Sequence, residues 1–528
     1  MTRQKSDDRV VPDGDRKAVG SGGARALRGG KAVAVNQQDG QLRLPFATAD
    51  ITTGKPGVAV AAMDGARVPP GARAEPKAKG KDDATRPATM EGVVEGLDTA
   101  FERVASNKGA PGPDRQTIGM VRKHLPEVLQ EVRAALLDGS YRPGDIRRVW
   151  IPKSGGGQRG LGIPNVVDRM VQEALRAVLE PLWEPTFHPS SHGFRPDRSC
   201  HTAIAEAKSY VEEGYEYVVD IDLEKFFDRV HHQRLMARVA TRVSDRRVLV
   251  LLGRMLKAAV VMPDGVRVSS EEGVPQGGPL SPLLSNIVLD ELDAELAQRG
   301  HRFVRYADDC NIYVRSEAAG QRVMASITAF ISTRLRLKVN AAKSAVAKPE
   351  ERHFLGFRLR VDPLTDVVEV MLSKRSRERI NAAIVERTPR TWGDTLDACI
   401  LGLNGYLRGW FGFFLVCTGE ERTMQSLDAH IRRRLRAILL THWKNGPTIV
   451  RNLIERGIKR KSAWRAVYDG DRNTWDLSHR PVVDRALNRP YFDRKGLVSL
   501  AKLWDAHYRP VDIVAPLGQL TLFGWWKR

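Results

Sequence analysis

The spacing of hydrophobic residues divides the chain into a patternless start and a long patterned remainder. Residues 1 to about 90 are rich in Gly, Ala, Asp and Lys and keep no hydrophobic period of 2 or 3.6. From Met90 onwards, hydrophobic residues recur at helical spacing, at Val93, Leu97, Phe101 and Val104. Gly and Pro then interrupt the pattern over 107–114. We therefore expect a disordered extension over 1–90, followed by a helix and a basic loop.

Strand and helix patterns alternate in the middle of the chain, between Tyr141 and Phe357. Clusters of turn residues separate these segments at 154–157, 188–191 and 275–279. After Ser373 the sequence becomes helical and basic. This part also contains eight of the ten tryptophans, namely Trp392, Trp410, Trp443, Trp464, Trp475, Trp504, Trp525 and Trp526. The pattern predicts an α+β protein whose second part is mainly helical.

Composition and charge narrow the class of protein. Hydrophobic residues make up 42% of the chain and charged residues 28%, as in ordinary soluble globular proteins. The formal net charge of +21 favours a polyanionic partner. Nucleic acid is the expected partner, because the rival, an anionic membrane surface, usually requires an amphipathic or lipidated anchor that we do not find.

Membrane and secretory classes are not expected. The longest apolar stretch, 248–262, is interrupted by Arg254 and Lys257 and is shorter than the ~20 residues of a membrane span. The first residues are charged and lack the apolar segment of a secretory signal. The four cysteines form no zinc-binding spacing, which is typical of a reducing compartment. We therefore predict a cytoplasmic protein.

Two acidic residues lie on one face of a predicted strand. In Tyr217-Val-Val-Asp-Ile-Asp-Leu223 the alternation places Val219, Ile221 and Leu223 on one face and Val218, Asp220 and Asp222 on the other. Carboxylates on one face repel each other, and a cation would relieve that repulsion. An alternative is that Asp220 simply pairs with a nearby arginine.

A second acidic segment is predicted to form a β-hairpin. Residues 302–314 read as two short apolar strands joined by a tight turn, with Asp308 and Asp309 at the tip. Adjacent aspartates are also common as solvated turn formers. Phosphoryl transfer requires two hard cations that lie about 3.5 to 4 Å from each other and are held by carboxylates. Three aspartates from two strands would suffice to hold them.

These segments resemble the motifs of reverse transcriptases. Tyr306-Ala-Asp-Asp309 is similar to the family's Tyr-x-Asp-Asp signature, and Asp222-Leu-Glu-Lys-Phe-Phe227 is similar to its first acidic motif. Residues 273–286 (GVPQGGPLSPLLSN) lie between them, where the family keeps a motif that contacts template and nucleotide. The resemblance implies an RNA-directed DNA polymerase in which Asp222, Asp308 and Asp309 bind two Mg²⁺ ions, with Mn²⁺ as an alternative.

More narrowly, the chain resembles the reverse transcriptase and maturase proteins encoded by group II introns. The resemblance rests on 151–164 (IPKSGGGQRGLGIP), 168–172 (DRMVQ) and 191–199 (SHGFRPDRS). It implies a right-hand polymerase with fingers and palm over 91–365, including an antiparallel palm sheet. An α-helical maturase or thumb domain over 366–445 and a basic segment over 446–528 that binds RNA or DNA would follow. No Cys and His cluster of an HNH endonuclease follows residue 450.

The resemblance also implies roles for individual residues. Lys153 and Arg159 would close over a triphosphate, although a solvated basic turn is the alternative. Phe227 would exclude a ribose 2′-hydroxyl, whereas Phe226 is expected in the core. Gln276 and Gly277 would let the backbone approach a nucleotide, unless they form only a tight turn. Lys343 would protonate the leaving pyrophosphate, with a surface lysine as the alternative.

Helices after residue 400 combine apolar and basic faces. Ile431, Leu435, Ile438 and Leu439 form an apolar stripe, and the remaining face carries arginines expected to bind nucleic acid, namely Arg432, Arg433, Arg434 and Arg436. A solvated basic face is the alternative. Aromatic residues among basic ones, at Trp443 and Trp464, would either stack on unpaired bases or be buried.

The expected partners are intron RNA, an RNA template, a DNA target or primer, and dNTPs, with no membrane. A homo-oligomer is left open. The resemblance implies that the chain polymerises DNA and helps its intron to splice and to move to a new DNA site. Two alternatives are a protein that acts mainly as an RNA-binding splicing cofactor, and a domesticated reverse transcriptase serving host or antiviral defence.

Overall fold

The computed structural model describes residues 87–152, 157–469 and 473–509. The chain divides into two units, Met1–Lys79 and Gly80–Arg528, and every described residue belongs to the second. The extension predicted over 1–90 therefore lies almost entirely outside the described residues.

Helices account for most of the described elements. Before the first acidic strand they are α1 Met90–Glu95, α2 Leu97–Ser106, α3 Ile118–Lys123, α4 Leu125–Leu137, α5 Val166–Trp183 and α6 Cys200–Glu212. The next four are α7 His232–Ala240, α8 Arg246–Leu256, α9 Ser281–Gln298 and α10 Glu317–Phe330. The helical second part contains α11 Lys374–Arg387, α12 Leu396–Phe413, α13 Glu421–His442, α14 Gly446–Glu455, α15 Arg460–Tyr468, α16 Thr474–Ser478, α17 Pro481–Ala486, α18 Arg489–Arg494 and α19 Leu500–Tyr508.

Three sheets accompany these helices. The strands are β1 Ile146–Pro152, β2 Gln158–Ile163, β3 Tyr217–Ile221, β4 Val260–Val261, β5 Arg267–Val268, β6 Arg302–Tyr306, β7 Asp309–Val314, β8 Ala345–Ala347, β9 Phe357–Val361 and β10 Val368–Leu372. Their orders are β2-β1-β4-β5, β6-β7-β3-β8 and β10-β9. All neighbours are antiparallel except β1 and β4. The architecture is α+β, as the sequence predicts.

The sheet β6-β7-β3-β8 separates two hydrophobic cores. On one face Val219 and Ile221 of β3 join the core built around α2, α5 and α9. On the other face Val218 of β3 and Val304 of β6 join the core that contains α6, α11, α12 and α13. The alternation predicted for β3 is confirmed, because successive side chains on a strand point to opposite faces. Apolar packing on both faces holds the ends of β3, β6 and β7 in place.

The described helices after residue 445 share the second core with α11, α12 and α13. Leu453 of α14, Val483 of α17 and Phe492 of α18 are buried in it. Asp428 of α13 accepts the backbone N–H groups of Leu500 and Ala501 at 2.9 and 3.1 Å, which fixes the start of α19. No helix in the described ranges is both long and apolar enough to cross a membrane.

Candidate active site

A two-residue turn joins β6 to β7. Tyr306 pairs with Asp309, so Ala307 and Asp308 form the turn itself. Ala307 has a φ of 57°, in the left-handed region that is unfavourable for a residue with a Cβ atom. The turn places Asp308 and Asp309 at the hairpin tip, as the sequence predicts.

A buried arginine supports this turn from below. Arg305 is 0% exposed and donates two hydrogen bonds, of 2.7 and 2.5 Å, to the carboxylate of Asp293 on α9. It also donates to the backbone carbonyl of Ala307 at 2.9 Å. Two further bonds reach the side chains of Asn286 and Ser191, at 3.0 and 2.7 Å. Arg305 therefore ties the turn to α9, a role that the sequence interpretation missed.

Gly193 explains one of the family-like motifs in physical terms. A Cβ atom at this position would lie 2.2 Å from the backbone nitrogen of Ala307. Asn286 donates to the carbonyl of Gly193 at 2.8 Å and so holds the two segments together. The 191–199 segment thus packs directly against the acidic turn, and only glycine leaves enough room.

Asp222 follows β3 and lies between the hairpin tip and β8. Ile221 pairs with Cys310 on β7, so the next residue, Asp222, falls opposite Asp309 in the same register. On the other edge Asp220 pairs with Ala345, which places Asp222 opposite Lys343. The backbone N–H of Asp222 donates to the hydroxyl of Ser344 at 3.0 Å. Sheet pairing thus brings together acids that are 86 and 87 positions apart in the sequence.

The three carboxylates interact electrostatically. Desolvation by the surrounding protein raises the pKa of Asp308, and the charge of Asp222 raises it further. The pKa of Asp309 is raised to about 7, first by desolvation and then by Asp308, Asp220 and Asp222. The Asp309 side chain still has a solvent-exposed side, so water screens part of this repulsion. The cluster carries more negative charge than its own residues neutralise.

Cations approach this cluster from two sides. Lys343 Nζ lies 3.3 Å from Asp222 Oδ2, and its charge lowers the pKa of both Asp308 and Asp309. The charge of Arg159 on β2 also lowers the pKa of Asp308. Lys153, the other expected triphosphate contact, lies outside the described residues. The structure therefore gathers Asp222, Asp308, Asp309, Lys343 and Arg159 in one region.

A second arginine fixes the loop that carries Lys343. Arg352 donates to Asp220 Oδ2 at 3.0 and 2.6 Å, and to the backbone carbonyl of Lys343 at 2.7 Å. Asp220 therefore pairs with an arginine, the alternative that the sequence left open. Arg352 links the strand before Asp222 to the loop of Lys343, and no local pattern in the sequence indicates this link.

The remaining expected nucleotide contacts lie beside this region. Phe226 is buried, as expected of a core residue, and lies in a short 3₁₀-helix at Phe226–Asp228. Phe227 is partly buried and packs against the first hydrophobic core, and its role towards the nucleotide stays a prediction. Gln276 accepts a backbone hydrogen bond from Gly162 of β2 at 2.7 Å. Gly277 has a φ of 125°, and a Cβ atom there would lie 2.6 Å from the carbonyl oxygen of Gly162. Gly277 therefore permits a close approach of its backbone to β2 of the same chain.

The chemistry of the cluster suits divalent metal ions. Carboxylate oxygens are hard ligands of the kind that Mg²⁺ prefers. The pKa values of Asp308 and Asp309 are raised first by desolvation and then by neighbouring carboxylates, and a cation would relieve the repulsion among those carboxylates. Among the described residues, no group of three or more Asp, Glu, His or Cys side chains is gathered tightly enough to hold an ion. The carboxylate oxygens of Asp222, Asp308 and Asp309 are therefore of the ligand type that Mg²⁺ prefers.

The expected arginine face on α13 needs correction at two of its four positions. Arg434 is 6% exposed and donates to the hydroxyl of Thr388 at 2.6 Å. Arg436 is 6% exposed, donates to the carbonyl of Leu487 at 2.9 Å, and forms an ion pair with Asp484. Both guanidinium groups satisfy internal acceptors, because the helix packs on that side as well. Only Arg432 and Arg433 are partly exposed.

Two known protein families match consecutive parts of this chain. Residues 151–359 match the family described as reverse transcriptase (RNA-dependent DNA polymerase). Residues 377–456 match the family described as group II intron, maturase-specific domain. The first match contains the acidic cluster and its cations, and the second begins within α11 and includes α12 and α13.

Individual relatives show the same pattern. Protein YkfC of Escherichia coli is 35% identical over 350 residues, which cover 58% of this chain and 88% of that protein. The group II intron-encoded protein LtrA of Lactococcus lactis is 36% identical over 210 residues, which cover 39% of this chain and 34% of LtrA. Among solved structures, the partial Cas6-RT-Cas1--Cas2 complex gives a TM-score of 0.29 at 21% identity, covering 46% of this chain and 42% of that chain. That structural likeness is too low to support an argument.

Proposed function

The chain belongs to the family of reverse transcriptase and maturase proteins encoded by group II introns and is an RNA-directed DNA polymerase, and we propose that it adds dNTPs to a primer 3′-hydroxyl at Asp222, Asp308 and Asp309. In this proposal the described residues up to about 365 form the fingers and palm of a right-hand polymerase. The helices over 366–445 form the maturase or thumb domain, and the basic segment over 446–528 binds RNA or DNA.

One observation carries this proposal. The register of β3 against β7 places Asp222 opposite Asp309 and next to the turn that presents Asp308. Three carboxylates, of which Asp222 is paired with Lys343, therefore lie at one end of a sheet that is packed on both faces. A purely structural role does not explain them, because like charges held together destabilise a fold unless cations neutralise them.

Each side chain of the cluster has a proposed task. Asp222, Asp308 and Asp309 would hold two Mg²⁺ ions, which activate the attacking hydroxyl and stabilise the leaving pyrophosphate. Lys343 lies beside Asp222, where an ammonium group can give a proton to the leaving group. Arg159 and Lys153 would bind the triphosphate. Phe227 would block a ribose 2′-hydroxyl, and Gln276 and Gly277 would line the nucleotide site.

We also propose how the chain uses RNA. The maturase-specific match over 377–456 supports binding of its own intron RNA, assistance with splicing, and copying of the intron into DNA at a new site. Of the four α13 arginines expected to bind nucleic acid, Arg432 and Arg433 have surface left for phosphate contacts. The four free cysteines support placement in a reducing compartment such as the cytoplasm.

Primer extension on an RNA template tests the catalytic proposal. The variant Asp308→Asn with Asp309→Asn keeps the size and shape of both side chains and removes their charge. We expect extension to fall by at least about a thousandfold, as when metal ligands of a transition state are lost. Binding of the purified variant to the same RNA should be unchanged, because no phosphate-binding cation has been removed.

A matched control uses an aspartate outside the cluster. Asp228 is exposed at the end of the 3₁₀-helix that carries Phe227, and Asp228→Asn should leave extension within about twofold of the wild type. Full extension by the double variant would refute the assignment of the site. If the double variant loses both RNA binding and primer extension, the result would indicate misfolding rather than loss of the catalytic residues alone.

A further inference from the structure

Helix α15 presents two large aromatic side chains to solvent. Trp464 is 44% exposed and Tyr468 is 48% exposed. Their positions differ by one helical turn, and their rings stack with centroids 4.5 Å apart and an interplanar angle of 24°. The two rings form one continuous aromatic surface, which we call the α15 platform.

The core does not require these rings. On the opposite side of α15 the buried residues are Ala463 and Ala466, which are 0% and 7% exposed. These small residues and the partly buried Val467 seat the helix against its neighbours, and the two large aromatic residues face outward, the reverse of an ordinary amphipathic helix. Gly446 at the start of α14 makes room for the Tyr468 ring, since a Cβ atom there would lie 2.7 Å from the tyrosine hydroxyl. The platform is thus held in place while its outer surface stays open.

Positive charge surrounds the platform. Four exposed cations lie on α15 or immediately before it: Lys459, Arg460, Lys461 and Arg465. The helix itself contains no acidic residue. No residue in the described ranges forms an ion pair with any of the four. Flat rings among unpaired cations match a ligand that has flat faces and negative charge, which is an unpaired stretch of nucleic acid.

We infer that the α15 platform binds a single-stranded segment of RNA, with bases stacked on Trp464 and Tyr468 and phosphates held by Lys461 and Arg465. The choice of RNA rests on the proposed function. Helix α15, which carries the platform, begins four residues beyond the maturase-specific match and follows α14, whose end that match includes. An apolar protein partner fits less well, because it offers nothing to neutralise four cations. A duplex fits less well too, because its bases are already stacked on each other.

Photocrosslinking of the full-length protein tests this inference at the residues concerned. The probe is a short single-stranded RNA carrying 5-iodouridine, which crosslinks to aromatic side chains that stack on it. We expect a crosslinked peptide within 459–468, and we expect unlabelled single-stranded RNA to compete better than a blunt RNA duplex of the same length. The same crosslink should form in the Asp308→Asn and Asp309→Asn double variant, so failure of the polymerase assignment stays distinguishable from failure of this one.

Substitutions separate stacking from charge. Trp464→Leu keeps an apolar side chain without an aromatic face, and it should raise the RNA concentration for half-maximal crosslinking by about 10-fold or more. Trp464→Phe should stay within about threefold of the wild type. Arg465→Gln should flatten the dependence of log affinity on log salt by about 0.7, whereas Arg422→Gln, an exposed arginine on α13, should not alter the crosslink in this peptide.

Several results would overturn the inference. These are no crosslink in this peptide, equal competition by duplex and single strand, equal behaviour of Trp464→Leu and the wild type, or a crosslink that forms with DNA of the same sequence and not with RNA. Thermal unfolding of each variant checks its fold. Because Trp464 is exposed, the thermal unfolding midpoint of each Trp464 variant should match that of the wild type.

Discussion

Replacement of Arg305 by methionine gives the sharpest test of how the acidic turn is held. Arg305 and Asp293 are both 0% exposed, and two hydrogen bonds of 2.7 and 2.5 Å join them. Arg305→Met leaves the Asp293 carboxylate buried without its counterion. Breaking a buried pair from one side usually costs about 3 to 5 kcal/mol, much more than the ~1 kcal/mol of an exposed pair. The carbonyl of Ala307 also loses its donor, so the turn that carries Asp308 loosens.

Chemical denaturation of the full chain measures this cost. We expect Arg305→Met to lower the unfolding free energy by about 3 to 5 kcal/mol and to reduce primer extension as well. The double variant Arg305→Met with Asp293→Leu removes both charges and should recover most of the stability. It should not recover extension, because the carbonyl of Ala307 still lacks its donor. A single variant that costs less than about 1 kcal/mol, or a double variant that is much less stable than the single one, would refute this reasoning.

Three further predictions concern the same region. In EDTA, Asp309→Asn should unfold at a higher temperature than the wild type above pH 7. The raised pKa of Asp309 makes its ionised form unfavourable in the folded state, so the stability of the wild type falls as pH rises towards that pKa. Mg²⁺ at a hundred times its Kd should add about 2.7 kcal/mol to the unfolding free energy of the wild type and little to that of the variant, and equal stabilisation of both would contradict metal binding there. Arg352→Met should lower kcat for extension by about tenfold with little change in KM, since it releases the loop of Lys343, and Asp220→Asn should add little further loss when combined with it; independent losses would argue against a shared role. Phe227→Ala should increase incorporation of ribonucleotides relative to dNTPs on the same template, whereas unchanged discrimination would show that another side chain faces the 2′-hydroxyl.

Local patterns in the sequence predicted the elements that carry the site. Alternation identified the face of β3 that carries Asp220 and Asp222, and the apolar flanks of 302–314 identified the hairpin, because each depends on neighbours in the chain. The sequence also predicted that Phe226 is a core residue, and it is buried. The role of each residue in catalysis stays a prediction.

The arginines show where local pattern fails. On α13 the sequence analysis assigns Arg434 and Arg436 to the basic face that remains beside the apolar stripe, yet both are buried against Thr388, Leu487 and Asp484. An amphipathic pattern assumes one buried face, and this helix is packed on more than one side. Trp464 shows the reverse case, because the small residues Ala463 and Ala466 face the core and leave the large ring outside.

The sequence by itself determined the residue types, the strands and turn that carry the three aspartates, and a basic chain suited to polyanions. Only the tertiary structure decided that Asp222 lies opposite Asp309, that Arg352 holds the loop of Lys343, and that Arg305 supports the turn from α9. The physical reason is that local structure follows from neighbouring side chains, whereas strand register and buried ion pairs depend on which distant surfaces pack together.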